Sequence, residues 1–330
     1  MVKMRFAEVF GDCYSERSLT LVKQLGCTDV IGHGPITGGE VWEYQDLADL
    51  KKRVEGFGLR LDTLEDGPKI DKMMMGLPGR EEQRENFCRS LENLGRAGIK
   101  TIKPQHMPLG WERIMTTSES VTRGGATSRV FDYDLVKDAP PTKHGLISEE
   151  QTWRNLRYFL EGALPTAEAA GVRISLHPDD PPISPIQGFA RILRSVEAFD
   201  KMLEIHPSPN IGLLFCQGCF AEMGVDIPST IRHFGKRGKI FVAHFRDVQG
   251  AVPRFQEVFH GEGQTDMFEA MKAYYDVGFK GPIRPDHAPK LEGDDLYKDG
   301  KTGYYLLGKV YALGYMRGLA ECVEKTHHFN

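Results

Sequence analysis

The sequence lacks any run of about 18 consecutive apolar residues, the length needed for a membrane-spanning helix. Its first residues, 1–5, lack the apolar core of a secretory signal peptide, and we therefore expect a cytoplasmic protein with no membrane partner. Cysteine is scarce, with 6 residues in 330, which argues against a disulfide framework and for reduced thiols.

The sequence also lacks a block of basic residues. Lys and Arg total 42 against 46 Asp and Glu, and the net charge is -4 at pH 7. Because nucleic-acid binding ordinarily needs a basic patch, we expect no nucleic-acid partner. With 40% hydrophobic residues, the chain can bury a large core, and a single catalytic domain over residues 1–330 is expected.

What the sequence does contain is an alternation of short apolar runs with longer amphipathic segments, the pattern of repeated βα units. Strands are predicted near residues 4–10, 29–33, 59–64, 99–105, 172–177, 211–216, 240–245 and 282–286. Helices are predicted near residues 15–25, 43–57, 80–97, 149–170, 188–204, 227–236, 265–277 and 304–325. Glycines placed for left-handed C-caps follow several of these helices, at Gly26, Gly58, Gly98, Gly171 and Gly278.

Eight such units predict an α/β fold of the (β/α)8 TIM barrel type, whose active site lies at the C-terminal ends of the strands. The alternative is an open doubly wound sheet, which usually has fewer strands. One connection, a long loop after strand 4 at about 107–148, has little periodicity. Loops longer than about 15 residues tend to be functional or disordered, so we interpret it as a lid or an oligomer contact, with a mobile surface excursion as the alternative.

Four residues with metal-binding side chains stand at or just past the ends of four predicted strands. They are His177, Cys216, His244 and Asp286. Imidazole, thiolate and carboxylate are usual ligands of divalent transition metals, so this recurrence predicts a metal site at one end of the sheet. Taken alone, Cys216 could equally be a buried apolar residue, and its Cys-x-x-Cys pair with Cys219 could be redox-active.

Further polar groups stand beside these four. Asp180 lies in the sequence His-Pro-Asp-Asp that begins at His177, where its carboxylate could orient the ring or transfer a proton. Arg246 follows His244 by two residues and could bind a substrate carboxylate. His287 directly follows Asp286, and such a density of chemical groups favours a functional site over simple packing.

These motifs resemble those of the mannonate dehydratases, a family within the xylose-isomerase-like, metal-dependent barrels. The resemblance covers nearly the whole chain and is most specific at residues 177–182, 244–248, 257–260, 266–267 and 284–287. Weaker similarity occurs at residues 39–42, 93–99, 107–108 and 303–304. The resemblance implies a divalent metal, usually Mn2+, held by the four strand-end residues. It also implies the dehydration of D-mannonate to 2-keto-3-deoxy-D-gluconate.

The resemblance further implies roles for individual side chains. His287 and Tyr304 are predicted to transfer protons, with Asp180 as a third catalytic candidate. The predicted substrate contacts are Arg246, His260, Glu257, Glu8 and His106. Ligand softness alone would favour zinc or iron, so Fe2+, Co2+ and Zn2+ stand as alternatives to Mn2+. A small-molecule sugar or sugar acid is the expected partner, and the family implies a homo-oligomer.

The chain departs from the family pattern in its first half. Glu8 stands where the family usually has an aromatic-and-arginine cluster, and residues 103–106 replace a Tyr-Asn-Phe type of ending. A glutamate in place of an arginine would invert the charge near an anionic ligand. A second hypothesis is therefore an isomerase, epimerase or keto-sugar eliminase that acts on a neutral sugar. A third is a non-enzymatic sugar-binding barrel.

Overall fold

The larger sheet of the protein is a barrel of parallel strands. The computed structural model describes residues 3–35, 40–107, 116–296 and 304–327. Its barrel strands, numbered with all others in chain order, are β1 (Arg5–Phe6), β2 (Asp29–His33), β3 (Arg60–Lys69), β4 (Thr101–Gln105), β7 (Arg173–Leu176), β8 (Ile211–Cys216), β9 (Ile240–His244) and β12 (Pro282–Arg284). Each predicted strand overlaps one of these, and the TIM-barrel prediction is confirmed.

The strands are hydrogen bonded in the order β1-β12-β9-β8-β7-β4-β3-β2. A parallel bridge between Ala7 and Asp29 brings the first and last strands of this order together, so the barrel is nearly closed. The central strands β8 and β9 are buried along their whole length, because both faces of a parallel sheet are covered. Polar residues at the ends of these strands are consequently held in a buried, rigid setting.

Helices cover the outside of the barrel. They are α1 (Glu16–Gln24), α2 (Tyr44–Gly56), α3 (Asp71–Met75), α4 (Arg80–Ala97), α5 (Glu149–Ala170), α6 (Val196–Ile205), α7 (Gln217–Glu222), α8 (Ile227–Gly235), α9 (Met267–Asp276) and α10 (Leu306–His327). The five predicted C-cap glycines all have positive φ, between 64° and 76°. Within the described residues, no helix combines the length and the apolar character needed to cross a membrane.

One helix prediction was wrong at its start. A helix was predicted from residue 188, but α6 begins at Val196 after the N-cap Ser195. The preceding residues are extended because their backbone groups bond elsewhere: the Ala190 N–H donates to the Ile147 carbonyl, and the Leu193 N–H donates to an Asp179 carboxylate oxygen. These bonds fix the loop that follows β7.

A second, antiparallel sheet lies outside the barrel. Its strands are β5 (Thr117–Val121), β6 (Thr127–Asp132), β10 (Val248–Ala251) and β11 (Arg254–Glu257), paired in the order β10-β11-β6-β5. One hairpin comes from the long segment after β4 and the other follows β9. The segment is therefore regular over much of its described part, contrary to the expectation of a loop, because β6 finds its partner strand far along the chain. The described residues do not include 108–115 of this segment, and therefore not Pro108 of a weaker motif. Gly39 and Gly303 of the other weaker motifs also lie outside them.

Candidate metal centre and catalytic site

The four predicted metal ligands meet at the C-terminal end of the barrel. His177 follows β7, Cys216 and His244 end β8 and β9, and Asp286 lies two residues beyond β12. Cys216 and His244 are register partners, and the ring centroids of His177 and His244 are 5.5 Å apart. None of the four residues is more than 7% exposed. The geometry thus brings together four side chains that the sequence separates by more than a hundred residues.

The donor atoms of three of these residues are close enough to bind one cation, and His177 adjoins them through Cys216. Ligand atoms of Cys216, His244 and Asp286 all lie within 4.8 Å of one another, and His177 joins an overlapping group through Cys216. Buried Nδ1 of His244 makes no hydrogen bond within the described residues, although it lies 3.4 Å from an Asp286 oxygen. Its Nε2 is held 3.0 Å from Glu65, as ligating histidines usually are by a carboxylate. This donor set, with one ring nitrogen unpaired, fits a divalent transition metal.

Arg246 lies behind Cys216 among buried acidic groups. Its guanidinium is 2.9 Å from both Asp180 and Glu222, and it donates to the sulfurs of Cys216 and Cys219 at 3.3 and 3.2 Å. Burial raises the pKa of Cys216, but a hydrogen bond from Cys219 and the charge of Arg246 outweigh it and hold that pKa well below its ordinary value. The thiolate, which is the form that binds metals, is therefore favoured.

His287 and Tyr304 stand side by side next to the predicted ligands. His287 Nε2 lies 3.1 Å from the Tyr304 hydroxyl, and Glu257 lies 2.7 Å from His287 Nδ1. Burial and the charge of Arg129 lower the pKa of His287, whereas burial raises the pKa of Tyr304 well above its ordinary value. A neutral imidazole beside a protonated phenol is suited to accept and return protons.

Arg129 of β6 is a site residue that the sequence analysis missed. It is 3% exposed, donates from Nε and Nη2 to the two carboxylate oxygens of Glu257 at 3.0 and 2.7 Å, and contacts His287. It belongs to the long segment after β4, where no sustained periodicity pointed to a site. The available signal was short: the β-branched and aromatic residues of 127–131 mark a strand.

A cavity opens between these groups at the C-terminal end of the barrel. Its described lining consists of Glu65, Asp66, Lys103, Met107, His177, Asp180, His244, Asp286, His287 and Tyr304. It thus contains all three predicted catalytic residues and three of the four predicted metal ligands. Glu65, Asp66 and Lys103 were also missed. Glu65 and Asp66 directly follow the predicted strand 59–64, where the criterion used for the metal ligands applies equally, whereas Lys103 lies within β4.

The predicted substrate contacts lie outside the described lining of this cavity. They are Arg246, His260, Glu257, Glu8 and His106. Glu8 is fully buried and forms an ion pair with Lys309, with 2.6 Å between Nζ and Oε1. Lys309 balances the negative charge of Glu8, which corrects the prediction that Glu8 inverts the charge near an anionic ligand. Burial lowers the pKa of His106 to about 3 and that of His260 to about 4, so both rings are neutral at physiological pH.

Sequence comparison gives a consistent result over the whole chain. A family model described as D-mannonate dehydratase (UxuA) matches residues 2–145 and 142–330. The chain is 32% identical to the mannonate dehydratase of Thermotoga maritima over 354 aligned positions, which cover 96% of each chain. It is also 32% identical to mannonate dehydratase 2 of Halalkalibacterium halodurans, with 86% of this chain and 89% of the relative covered.

Structural comparison separates a shared family from a shared fold. The mannonate dehydratase from Streptococcus suis serotype 2 superposes with a TM-score of 0.90 at 30% identity, covering 99% of this chain and 95% of that one. L-ribulose 3-epimerase gives a TM-score of 0.61 at 14% identity, covering 100% and 98%. The second likeness concerns the fold alone.

Proposed function

Because this chain belongs to the D-mannonate dehydratase family, we propose that it is a hydro-lyase that removes water from D-mannonate to give 2-keto-3-deoxy-D-gluconate. The observation that carries the proposal is one shared cavity, lined both by predicted metal ligands and by the His287–Tyr304 pair. Loss of water from a sugar acid requires both a metal site and proton-transfer groups. Charge that builds on the carboxylate must be stabilised at the metal site, and the proton-transfer groups act at two neighbouring carbons.

His177, Cys216, His244 and Asp286 would hold a divalent cation, whose positive charge, when it is bound, stabilises the substrate carboxylate as the C2 proton leaves. Arg246 contributes by keeping Cys216 deprotonated and oriented, since its guanidinium is 3.3 Å from the sulfur. We assign this positioning role to Arg246 in place of direct substrate contact, because its nitrogens are engaged by protein carboxylates and thiols.

His287 is the proposed base for the C2 proton. Glu257 fixes the Nδ1 side of the ring, and Nε2 lies 3.1 Å from the Tyr304 hydroxyl and 3.0 Å from Arg129 Nη2. This is the arrangement of a base oriented by a third group. Tyr304 is the proposed donor of a proton to the departing C3 hydroxyl, which leaves as water. Asp180 lines the same cavity and is held by Arg246, which supports a part in positioning the substrate.

Mn2+ is the proposed native cation, on the strength of the family resemblance, even though a thiolate and two imidazoles by themselves favour zinc or iron. Metal analysis of protein purified without added metal or chelator tests this point. The apoprotein would then be reconstituted separately with Mn2+, Fe2+, Co2+ and Zn2+. Failure of Mn2+ to restore activity, alongside success of another ion, would overturn the assignment.

The decisive experiment incubates the metal-loaded enzyme with D-mannonate and follows formation of the 2-keto-3-deoxy acid. His287→Gln and Tyr304→Phe are the matched variants, since both preserve size; they should abolish turnover while retaining bound metal. Absence of product from D-mannonate, together with turnover of a neutral ketose, would favour the isomerase or epimerase alternative. That alternative was based on the altered residues 103–106 and on the charge of Glu8, and the ion pair with Lys309 offsets the second of these.

A homo-oligomer in the cytoplasm is the proposed native form. Exposed apolar residues of the long segment after β4 support a contact between copies, since Val121, Leu135 and Leu146 are 69%, 72% and 80% exposed. Light scattering coupled to size-exclusion chromatography would give the assembly state. A Leu135→Ser, Leu146→Ser double variant should lower it, and an unchanged mass would place the contact elsewhere.

A further inference from the structure

Asp66 and Lys103 form a charged pair in the cavity wall that the proposed reaction does not use. The ammonium group of Lys103 contacts an oxygen of Asp66 and lies 3.3 Å from the side-chain oxygen of Gln105. The other carboxylate oxygen of Asp66 lies 3.2 Å from Nδ1 of His33. Among the described residues that line the cavity, Lys103 is the only lysine or arginine.

The backbone of Asp66 and the burial of Lys103 are unusual for residues without a function. Asp66 has a φ of +61°, a left-handed conformation that is uncommon outside glycine and concentrates at ligand sites. Lys103 is only 6% exposed, and a lysine is rarely so buried unless its charge is paired. Burial lowers the pKa of Lys103, but the charges of Asp66 and Glu65 outweigh this and raise it, so the ammonium stays charged.

The pair lies across the barrel from the reacting groups. In the strand order, β4, which carries Lys103, is four strands from β12 in either direction, so the two strands lie on opposite sides of the barrel. His287 follows β12, and both residues line the same cavity. A substrate whose C2 and C3 atoms lie at His287 would therefore extend the rest of its carbon chain towards β4 and β3.

The chemistry of the pair matches hydroxyl groups better than an anion. An ammonium has three donors, of which two are engaged in the described contacts, and a carboxylate has acceptor sites only. A hydroxyl both donates and accepts, so it complements an ammonium and a carboxylate placed side by side. A second carboxylate would meet repulsion from Asp66 and Glu65, both of which line the cavity.

We propose that Asp66 and Lys103 bind the hydroxyl groups of the acyclic sugar acid beyond C4 and thereby select for chain length. This proposal rests on the proposed function for the identity of the ligand, but not for its test, which measures binding. The probes are D-mannonate and L-erythronate, a four-carbon acid with the same configuration at C2 and C3 that keeps a hydroxyl on C4 but lacks those on C5 and C6.

Isothermal titration calorimetry would measure both affinities in metal-loaded protein that carries His287→Gln, so that D-mannonate binds without turnover. The comparison is between wild-type residues at 66 and 103, Lys103→Met and Asp66→Asn in that background. Loss of a hydrogen bond to a charged group should weaken D-mannonate binding roughly tenfold or more, whereas L-erythronate binding should change by less than about twofold. Lys100→Met is the matched control, because Lys100 is exposed just before β4; it should leave both affinities unchanged.

Equal weakening for both probes would overturn the proposal, because it would indicate a carboxylate contact or a structural role. Unchanged affinities, or equal binding of the two acids with wild-type residues at 66 and 103, would overturn it as well. Asp66→Asn keeps the result decisive if Lys103→Met does not fold, since the Asp66 side chain is 42% exposed and the change preserves its shape. If the two substitutions weaken binding of D-mannonate but not of L-erythronate, and the wild type forms no product from D-mannonate, the dehydratase assignment is contradicted while this inference is supported.

Discussion

Arg129 and Glu257 are joined by two parallel hydrogen bonds, 3.0 Å from Nε and 2.7 Å from Nη2, although 128 residues separate them in the sequence. The same Glu257 oxygen that accepts from Nη2 lies 2.7 Å from Nδ1 of His287. The pair therefore couples the outer sheet to the group that we assign to proton abstraction. Burial raises the pKa of Glu257, yet the charge of Arg129 and the hydrogen bond with His287 outweigh it and leave that pKa far below its ordinary value.

Arg129→Met is expected to lower kcat by about 10- to 100-fold, the usual effect of removing a group that orients a functional residue. Without Arg129, Glu257 loses its bidentate partner and no longer fixes His287. Steady-state kinetics with D-mannonate would measure the change. Arg254→Met is the control, because Arg254 is an exposed side chain of the same sheet and should leave kcat intact. Equal kcat values for both variants would contradict the coupling.

Arg123, between β5 and β6, is expected to hold the hairpin against the barrel. Its guanidinium lies 4.1 Å from the ring centroid of Phe259 and 5.3 Å from that of Tyr311, and it also pairs with Glu262. Exposed cation–π contacts are worth about 0.5–1 kcal/mol, so Arg123→Ala should speed hydrogen exchange of β5 and β6 several-fold. Exchange in β8 should not change, and a uniform increase throughout the barrel would point to global destabilisation.

Removal of metal is expected to lower the melting temperature of the wild type but not that of Cys216→Ser. A ligand that binds the folded state stabilises it in proportion to the logarithm of its concentration over Kd. Calorimetric scans with and without a chelator, paired with metal analysis, would test this. A chelator effect that persists fully in Cys216→Ser would place the metal at another set of ligands.

Two glycine substitutions should have opposite effects on stability. A Cβ on Gly212 would lie 2.5 Å from the carbonyl oxygen of Lys239, just before the neighbouring strand β9, so Gly212→Ala should cost about 1–3 kcal/mol. Gly314 lies within α10 with open space around it, and Gly314→Ala should stabilise by about 0.5–1 kcal/mol. Denaturant unfolding would measure both, and stabilisation by Gly212→Ala would contradict the described strand packing.

Thiol labelling between pH 7 and 9 should separate buried from exposed cysteines. Burial raises the pKa of Cys27 to about 12, so its thiol stays protonated, and therefore unreactive, throughout this range. Cys322 is exposed and should be modified first. Mass spectrometry of the labelled peptides would quantify the difference. Rapid modification of Cys27 in the folded protein would show that β2 and its surroundings open readily.

The parts of this fold that follow from local sequence were predictable. All eight barrel strands could be predicted, because each is a short apolar run. The four metal-ligand candidates could be predicted because they stand at strand ends, where a regular barrel brings side chains together. The catalytic placement of His287 and Tyr304 came from the family resemblance, since a lone tyrosine at a helix start carries no signal of its own. The structure places them 3.1 Å apart.

The parts that depend on distant pairing were not predictable. Arg129 enters the site only because β6 pairs with β11, and nothing near residue 129 indicates that partner. The partner of Glu8 was missed for the same reason: Lys309 lies on α10, at the far end of the chain. The sequence shows Glu8 at a position where the family usually has a different residue, but it does not show that Lys309 balances the charge of Glu8.

The outer sheet also constrains how this protein can be shortened. Each hairpin contributes one member of the buried Arg129–Glu257 pair. Deletion of either hairpin would therefore leave the other residue's charge without this partner in the protein interior, and breaking a buried ion pair usually costs about 3–5 kcal/mol. The two hairpins are therefore expected to be gained or lost together during evolution. An engineered minimal barrel would have to remove both and supply a new anchor for His287.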